Sequence, residues 1–346
     1  MNTLLSDNTD HLNQLCELFD LGRPNGQLSM VSGGFHHRMW RLDQPGASYA
    51  IKQFADDVDI ADVATRERLN ATEVVAREFA GRGIPALASL SHGGQHLQVM
   101  DGEAYLVFPW TDCKARGKND IEPHHLVRVS GILAAMHRAD IQVAGLQPPP
   151  AWPHTADSVT ELLQLARERN VPEAGYLLEH REYLLDVVQR QAAAQAVLSR
   201  HVVVSHGDLD HKNVLWSDAG EPLLIDWESA GPINPTHEML MEALDWSGIT
   251  AQFELEPFEN FLLAYVESGG AIAQGSIEAA LQASTGAWVN WMLYNVGRAA
   301  GLEGRSQRAM GSEQVDVALG ALLRFEDNLP SLEAIAHKAA RRGCEV

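Results

Sequence analysis

The sequence predicts an α+β protein with a small β-rich N-terminal lobe and a larger, mainly helical C-terminal lobe. Two patterns indicate this class. Short β-prone runs separated by glycine turns occupy much of the first hundred residues, whereas apolar residues recur at helical spacing after Trp110. With 346 residues, the chain can bury a large core as one big domain or as two lobes. We expect lobes at residues 1–108 and 119–346, joined by a hinge at 109–118.

The N-terminal lobe is predicted to contain short strands around one helix. The helix is placed at residues 62–81, because Leu69, Ala76 and Ala80 fall on one face of a helix with this register. Glycines between the first two apolar runs mark a turn. The predicted strands are residues 27–31, 39–42, 48–54, 87–90, 97–100 and 105–108.

The C-terminal lobe is predicted to be helical, with three short strands near its middle. Trp288, Trp291 and Tyr294 recur every three residues in one of the helices and are expected to pack in the core. The predicted helices are residues 123–138, 159–169, 176–198, 236–246, 257–266, 277–297, 315–328 and 331–341. The strands are residues 202–205, 214–216 and 223–225.

Charge and composition constrain the partners. Lys and Arg number 26 against 46 Asp and Glu, for a net charge of -20, which disfavours nucleic acid and anionic lipid and favours a cationic small-molecule substrate. Solubility alone explains the same charges. The three cysteines are isolated, and no apolar run approaches the roughly 20 residues of a membrane span. We therefore expect a cytoplasmic protein with neither a nucleic-acid nor a membrane partner.

One stretch of the chain carries the clearest chemical signal. The sequence His206-Gly207-Asp208 is followed by Asn213, and Ile225-Asp226-Trp227-Glu228 comes after the next apolar run. Phosphoryl transfer requires a group that orients the attacking hydroxyl and groups that hold a metal ion. We assign the first role to Asp208, in a loop after a strand, and the second to Asn213 and Asp226, which a hairpin would bring together. Glu228 could join the metal ligands or contact the substrate.

The pattern H-G-D-x-x-x-x-N followed by I-D-[WF] resembles the hallmark of the aminoglycoside phosphotransferase family. The resemblance implies a two-lobed, protein-kinase-like fold that uses ATP and Mg²⁺ to phosphorylate a hydroxyl group of a small molecule. The chain departs from the family at Asp210, where the family usually has His, so the role of Asp210 is open. Lys212 is either a positive charge near the transferring phosphate or a solvated loop lysine.

The resemblance also places Lys52 as the strand lysine that contacts the α- and β-phosphates. Such a lysine requires a carboxylate partner, and the predicted helix offers Glu67, Glu73 and Glu78. Glu73 lies at the margin of the apolar face, whereas the other two project to the polar side. We therefore predict that Glu73 is the partner of Lys52.

Two further segments are assigned to the nucleotide. Gly33 and Gly34 take the place of the phosphate-covering loop, although the full glycine spacing of such loops is missing. Phe108, Pro109 and Thr111 lie where the resemblance places the adenine-binding hinge. Because proline has no N–H group, the carbonyl of Pro109 and the N–H of Thr111 form the predicted pair of base contacts, with Phe108 bordering the base.

The substrate is less well defined by the sequence. Glu238, Glu242 and Asp245 share one helical face that either meets a cationic amine or is simply solvated. An aminoglycoside or another amine-bearing alcohol would suit the first interpretation. A metabolic kinase of choline, homoserine or a sugar would carry the same motifs. From a different class, a nucleotide-binding pseudokinase with a regulatory role is the remaining alternative.

Overall fold

The computed structural model describes residues 9–22, 27–31, 37–55, 57–146 and 154–343. Contacts group the chain into two compact units. The described residues of the first unit come from Met1–Ala115, Ile141–Gln147 and Asn213–Gly231, and those of the second from Arg116–Asp140, Pro148–Lys212 and Pro232–Val346. The first unit thus includes a segment from the middle of the chain, which linear lobe limits cannot represent. The limits inferred from the sequence stay a prediction.

A five-stranded antiparallel sheet forms the body of the first unit. Its strand order is β1-β2-β3-β5-β4, so β3 is the central strand. The register pairs Lys52 of β3 with Leu106 of β5 and with Met39 of β2. This position holds the lysine in the middle of the sheet. The strands are Gln27–Val31 (β1), Arg38–Gln44 (β2), Ala47–Gln53 (β3), Gln98–Met100 (β4) and Glu103–Pro109 (β5).

Two helices accompany the sheet. Thr9–Leu18 (α1) buries Leu15 and Cys16 in an apolar cluster with residues of the sheet, which corrects the prediction of a single helix in this part of the chain. Val63–Ala80 (α2) begins where the side chain of Asp62 accepts hydrogen bonds from two backbone N–H groups of the first turn, a common way to satisfy the free donors of a helix end.

A second, three-stranded sheet completes the first unit. Lys114–Ala115 (β6) pairs with Val214–Trp216 (β8), which forms a hairpin with Pro222–Leu224 (β9). The predicted strand at residues 87–90 is wrong. These residues make separate backbone bonds, from Leu87 N to Leu224 O at 2.9 Å and from Leu90 N to Val107 O at 2.7 Å, and these bonds do not form the continuous ladder of a strand.

The second unit is mainly helical, as predicted. Val203–Ser205 (β7) and Gly231–Ile233 (β10) form a two-stranded sheet. The helices are Pro123–Ala139 (α3), Ala156–Glu168 (α4), Ala174–Glu179 (α5), Arg181–Leu198 (α6), Pro235–Trp246 (α7), Leu255–Glu267 (α8), Ile277–Ala300 (α9) and Arg308–Arg342 (α10). The sheet of the first unit and these helices confirm the α+β class.

Two helix boundaries differ from the prediction. The helix predicted at residues 176–198 is divided into α5 and α6. Conversely, the two helices predicted at 315–328 and 331–341 are one helix, α10, with Pro330 inside it. Proline removes one backbone hydrogen bond, but Phe325 and Leu332 on either side are fully buried, and this packing carries the helix past the proline.

The aromatic residues of α9 are only partly in the core. Trp288 packs against the apolar cluster formed by α4, α5, α6, α9 and α10. Trp291 and Tyr294 are 41% and 40% exposed, and their rings stack on each other with centroids 5.6 Å apart. The prediction that these two residues are core residues is therefore wrong. Among the helices that the structure describes, none is both long enough and apolar enough to cross a bilayer.

Candidate active site

The residues assigned to the site belong to both compact units. The chain passes from the second unit to the first between Lys212 and Asn213, inside the central motif. Lys52, Glu73, Asn213, Asp226 and Glu228 lie in the first unit, and Asp208, Glu238, Glu242 and Asp245 lie in the second.

In the first unit, Lys52 reaches two carboxylates. Its Nζ atom lies 2.7 Å from Oδ1 of Asp226 and also forms an ion pair with Glu228. Burial of the ammonium group lowers the pKa of Lys52, but the charges of Glu228 and Asp226 outweigh burial and hold the pKa above its ordinary value. Lys52 is therefore a buried, permanently charged group beside a predicted metal ligand.

Glu228 contacts three residues of the first unit, namely His37, Lys52 and Arg68. His37 Nε2 donates to Glu228 Oε2 at 3.0 Å, while His37 Nδ1 accepts from Ala55 N at 3.1 Å. The side chain of Arg68 on α2 donates to the backbone carbonyl of Glu228 at 3.1 Å. Burial alone would raise the pKa of Glu228, but the hydrogen bond from His37 and the charge of Lys52 lower it to about 2. No spacing rule in the sequence identified His37 as a partner.

Glu73 is the buried member of the three glutamates considered for Lys52. Glu67 is exposed, and Glu78 forms an ion pair with Arg82 at 2.7 Å. The carboxylate of Glu73 accepts a hydrogen bond from Ser89 N at 3.0 Å. Burial raises the pKa of Glu73 to about 7, against the opposing effects of Ser89 and Lys52. In this structure Lys52 bonds to Asp226 and Glu228, so a direct Lys52–Glu73 pair stays a prediction.

The hairpin of β8 and β9 brings the two predicted metal ligands to the same end. Val214 pairs with Leu224, and Ile225 N donates to Asn213 O at 3.0 Å. Asn213, just before β8, and Asp226, just after β9, therefore lie at the same end of the hairpin. Asp226 has φ 64° and ψ 62°, in the left-handed region that few residues other than Gly, Asn and Asp adopt. Backbone strain of this kind is concentrated at functional positions.

The amide of Asn213 and the carboxylate of Asp226 fit a hard cation, because Mg²⁺ prefers oxygen ligands. The side chain of Asp226 is 45% exposed, so an ion can approach it. Across the described part of the chain, no group of three or more His, Cys, Asp or Glu side chains could hold a metal ion. The predicted ligands are one amide, Asn213, and one carboxylate, Asp226, so they do not form a group of this kind.

The residues assigned to the adenine base follow or end β5. Phe108 is half-buried and pairs with Ala50, whereas Pro109 is exposed and pairs with Tyr49. Thr111 is half-buried, and its hydroxyl accepts a hydrogen bond from Cys113 N at 3.2 Å. Gly33 and Gly34 lie outside the described residues. The roles of all these residues stay predictions.

In the second unit, helix α7 holds the backbone of the loop that carries Asp208. Glu238 Oε1 accepts from Gly207 N at 2.7 Å, Glu242 Oε1 from Leu209 N at 2.8 Å, and Asp245 Oδ2 from His211 N at 3.2 Å. Every second N–H group of the loop thus meets a carboxylate one turn further along the helix. We call Glu238, Glu242 and Asp245 the carboxylate row.

The carboxylate row corrects the predicted substrate role of Glu238 and Glu242. These two residues are only 1% and 5% exposed, and one oxygen of each carboxylate accepts a hydrogen bond from a backbone N–H group of the loop. The shared helical face was predicted correctly, but it faces the interior, because buried backbone N–H groups require acceptors. The carboxylates of Glu238 and Glu242 are therefore not exposed to a cationic substrate in this structure.

The three members of the row differ in their charge partners. His137 Nε2 lies 2.6 Å from Glu238 Oε2, and its Nδ1 lies 2.7 Å from the hydroxyl of Tyr265. Burial raises the pKa of Glu238, but His137 more than offsets this and lowers it. Asp245 is similarly paired with His211 Nδ1 at 2.9 Å. For Glu242, burial and the neighbouring carboxylates, led by Glu238, raise the pKa well above its ordinary value.

The remaining charged side chains of the loop are Asp208, Asp210 and Lys212. Asp208 is exposed. Asp210 Oδ1 accepts from Lys212 N at 2.8 Å, and Asp210 Oδ2 pairs with Lys212 Nζ at 2.6 Å. The residue that departs from the family pattern therefore fixes both the backbone and the side chain of Lys212.

Solved structures of small-molecule kinases share this fold. A spectinomycin phosphotransferase in complex with ADP and spectinomycin has a TM-score of 0.65 at 12% identity, covering 91% of this chain and 98% of its own. An amicoumacin kinase in complex with AMP-PNP and Ca²⁺ has a TM-score of 0.60 at 16% identity, covering 90% and 93%. A choline kinase from Streptococcus pneumoniae has a TM-score of 0.58 at 16% identity, covering 90% and 99%. The predicted protein-kinase-like fold class is confirmed.

A family comparison covers the same region. The model of the phosphotransferase enzyme family, APH, matches residues 27–275, a stretch that contains Lys52, Asp208, Asn213 and Asp226. No curated protein sequence is similar enough to match the chain. The family match confirms the resemblance inferred from the central motif, and with it the enzyme class of small-molecule O-kinases. The chain belongs to the phosphotransferase enzyme family.

Proposed function

We propose that this protein transfers the γ-phosphoryl group of ATP to a hydroxyl group of a small molecule, with Mg²⁺ as the metal ion. One observation carries the proposal. Lys52 on the central strand is held 2.7 Å from Asp226, and the hairpin that ends in Asp226 also carries Asn213. A fixed ammonium group beside two oxygen ligands supplies charge for a polyphosphate and donors for a divalent cation.

The proposed roles follow from these positions. Asp208 accepts a hydrogen bond from the acceptor hydroxyl and orients it for attack. Asn213 and Asp226 would hold Mg²⁺, which when bound neutralises phosphate charge. Lys52 donates to the phosphate oxygens once the nucleotide competes with Asp226. Glu228 then keeps Lys52 in place.

The base and the remaining phosphates are assigned to the first unit. We propose that Phe108 borders the adenine, and that Pro109 O and Thr111 N bind its polar edge. Glu73 supports Lys52 electrostatically, since the charge of Lys52 acts on the Glu73 carboxyl group and lowers its pKa. Gly33 and Gly34 would supply backbone N–H groups to the phosphates.

We propose a hydroxyl-bearing small molecule as the acceptor, with amine-bearing alcohols as the first group to test. The carboxylate row is internal and gives no support for an amine. Support comes from kinases of similar fold that are named for spectinomycin and choline, and from one from Plasmodium vivax named for ethanolamine. A metabolic kinase of a small alcohol is the second candidate, favoured by the same choline and ethanolamine kinases.

The experiment is an ATP-consumption screen with Mg²⁺ against spectinomycin and other aminoglycosides, macrolides, choline, ethanolamine, homoserine and sugars. We expect one class to stimulate ATP consumption, and mass spectrometry should show the addition of one phosphoryl group. Asp208→Ala should abolish the stimulation. Nucleotide binding without turnover towards any of these acceptors would instead favour the pseudokinase alternative.

A further inference from the structure

The loop that carries Asp208 presents its residues alternately to two sides. The N–H groups of Gly207, Leu209 and His211 are bound by the carboxylate row. Leu209 and His211 are buried as well, whereas Asp208 and Lys212 are exposed. The loop therefore has an anchored side, set by α7, and an opposite side that carries charge.

The charged side includes one cation held in a defined place. Lys212 Nζ lies 2.6 Å from Asp210 Oδ2, and the backbone N–H of Lys212 donates to the other oxygen of the same carboxylate. Lys212 is partly buried, which lowers its pKa, but the charges of Asp210, Asp208 and Asp245 raise it above its ordinary value. The ammonium group is thus charged at neutral pH, and the field of Asp208 reaches it.

A loop with Asp208 and Asp210 on one side repels a polyphosphate, since like charges near a low-dielectric surface oppose each other. The orienting carboxylate nevertheless has to work beside the γ-phosphoryl group. A fixed cation on the same side removes this conflict. Lys212 is also the immediate neighbour of Asn213 in the chain.

We propose that Lys212 is a further catalytic residue, whose ammonium group contacts the transferring phosphoryl group while Asp210 positions it. This rests on the proposed function. In the reaction, the oxygen of the acceptor hydroxyl forms a bond to the γ-phosphorus, and the bond from that phosphorus to the β–γ bridging oxygen breaks. The electron pair of the broken bond stays on ADP, and the hydroxyl proton passes to Asp208. Lys212 only donates hydrogen bonds to the equatorial oxygens and keeps its protons.

The chain offers a matched control for this lysine. Lys338 is 57% exposed and forms an ion pair with Glu259 at 2.6 Å, and Lys212 is 53% exposed and forms an ion pair with Asp210 at 2.6 Å. Lys338 lies on α10, outside the motif. Lys212→Met and Lys338→Met thus remove the same charge from side chains of similar exposure and ion-pair distance.

Binding of a transition-state mimic tests the proposal without knowledge of the acceptor. The probe is MgADP with aluminium fluoride, which imitates a planar phosphoryl group. Lys212→Met should weaken binding of this complex by about 10²-fold, in the range of a lost transition-state donor, while the Kd of MgADP alone changes less than about 2-fold. Lys338→Met should change neither. Lys212→Arg should recover most of the affinity, because it keeps the charge.

The positioning role of Asp210 has its own readout. Asp210→Asn keeps an acceptor for the N–H of Lys212 and removes the charge that holds the ammonium group. It should weaken binding of the aluminium fluoride complex by about 10-fold and leave the affinity for MgADP unchanged. With an acceptor from the screen, Lys212→Met and Asp210→Asn should both lower kcat and change the KM for ATP by less than about 2-fold.

The outcomes separate this proposal from the proposed function. A wild type that binds the aluminium fluoride complex more tightly than MgADP, together with Lys212→Met behaving like Lys338→Met, overturns the role of Lys212 alone. A wild type that binds no MgADP overturns both. A wild type that binds MgADP with the same affinity in the presence and absence of aluminium fluoride overturns the proposed contact between Lys212 and the phosphoryl group. If Lys212→Met fails to fold by circular dichroism, Lys212→Arg and Asp210→Asn decide the matter.

Discussion

The first unit and the second unit both use closely spaced acidic residues, but for opposite purposes. In the first, Asp226 and Glu228 face a buried cation, Lys52, and Asp226 is accessible. In the second, Glu238, Glu242 and Asp245 face the backbone of a loop and are buried or nearly so. The difference shows that residue type and spacing define a face, whereas the partner across that face defines its purpose.

The comparison also explains why the net charge says little about the substrate. The protein carries a net charge of -20, yet the members of the carboxylate row accept hydrogen bonds from backbone N–H groups inside the fold. Buried carboxylates that accept backbone N–H groups are not exposed to a ligand in solution. Variants of the two groups should therefore fail in different ways.

The largest effect is expected at Asp226. Asp226→Asn should lower turnover by about 10³-fold or more, because it removes the charge that serves both the metal ion and Lys52. Asparagine tolerates the left-handed backbone at this position, so the melting temperature should change little. Steady-state rates and thermal unfolding measure the two effects. Wild-type turnover with an unchanged Mg²⁺ dependence would remove Asp226 from the metal site.

The second largest effect is expected at Glu238. Glu238→Ala leaves His137 and Gly207 N without their buried partner, and should lower the free energy of unfolding by about 3–5 kcal/mol. Urea unfolding measures this. The exposed pair of Glu333 and His337, 3.8 Å apart on α10, is the control, and Glu333→Ala should cost less than about 1 kcal/mol. Equal losses in the two variants would show that the row does not anchor the loop.

A smaller, pH-dependent effect is expected at Glu73. Its pKa in the folded protein is about 7, above the value of 4.5 for an unperturbed glutamate. Because the folded state holds the proton more tightly, wild type should lose stability relative to Glu73→Gln as the pH rises from about 4.5 to about 7, and the difference should be constant above that. The total is on the order of 3 kcal/mol. A difference that does not vary over this interval would contradict the assignment.

The smallest effect is expected at Glu242, in contrast to its neighbour in the row. Burial and the neighbouring carboxylates raise the pKa of Glu242 well above its ordinary value, which favours the neutral side chain, and Glu242→Gln retains an oxygen for Leu209 N. The free energy of unfolding should change by less than about 1 kcal/mol. Urea unfolding of Glu238→Gln gives the matched comparison, because Glu238→Gln removes the carboxylate charge that is paired with His137. A larger loss at Glu242 would show that it is ionised.

Local features of the site could be predicted from the sequence, and distant partners could not. The order of Asp208, Asn213 and Asp226 depends on one loop and one hairpin, which short-range patterns specify. The pairing of Lys52 with Asp226 spans 174 positions of the chain, and no periodicity connects them. The orientation of the carboxylate row was missed for a related reason: helical spacing identifies a face but does not say whether water or a backbone N–H group lies opposite.

The fold shows the same limit. The long, amphipathic helix α2 and the strands beside glycine turns were found, because their signal is contained in the element itself. Helix α1 has only ten residues and depends on its contacts with the sheet. The run at residues 87–90 has β-prone side chains but makes only separate backbone bonds to Leu224 and Val107, without the continuous ladder that makes a strand.

The anchoring of the loop by α7 has a consequence for how this enzyme could be re-engineered. The carboxylate row binds N–H groups, which every amino acid except proline possesses. These backbone bonds do not use the side chains of Asp210 and Lys212, so both positions can be randomised in a library while α7 still holds the loop that carries Asp208. A wider library that also varies positions 209 and 211 should exclude proline at both.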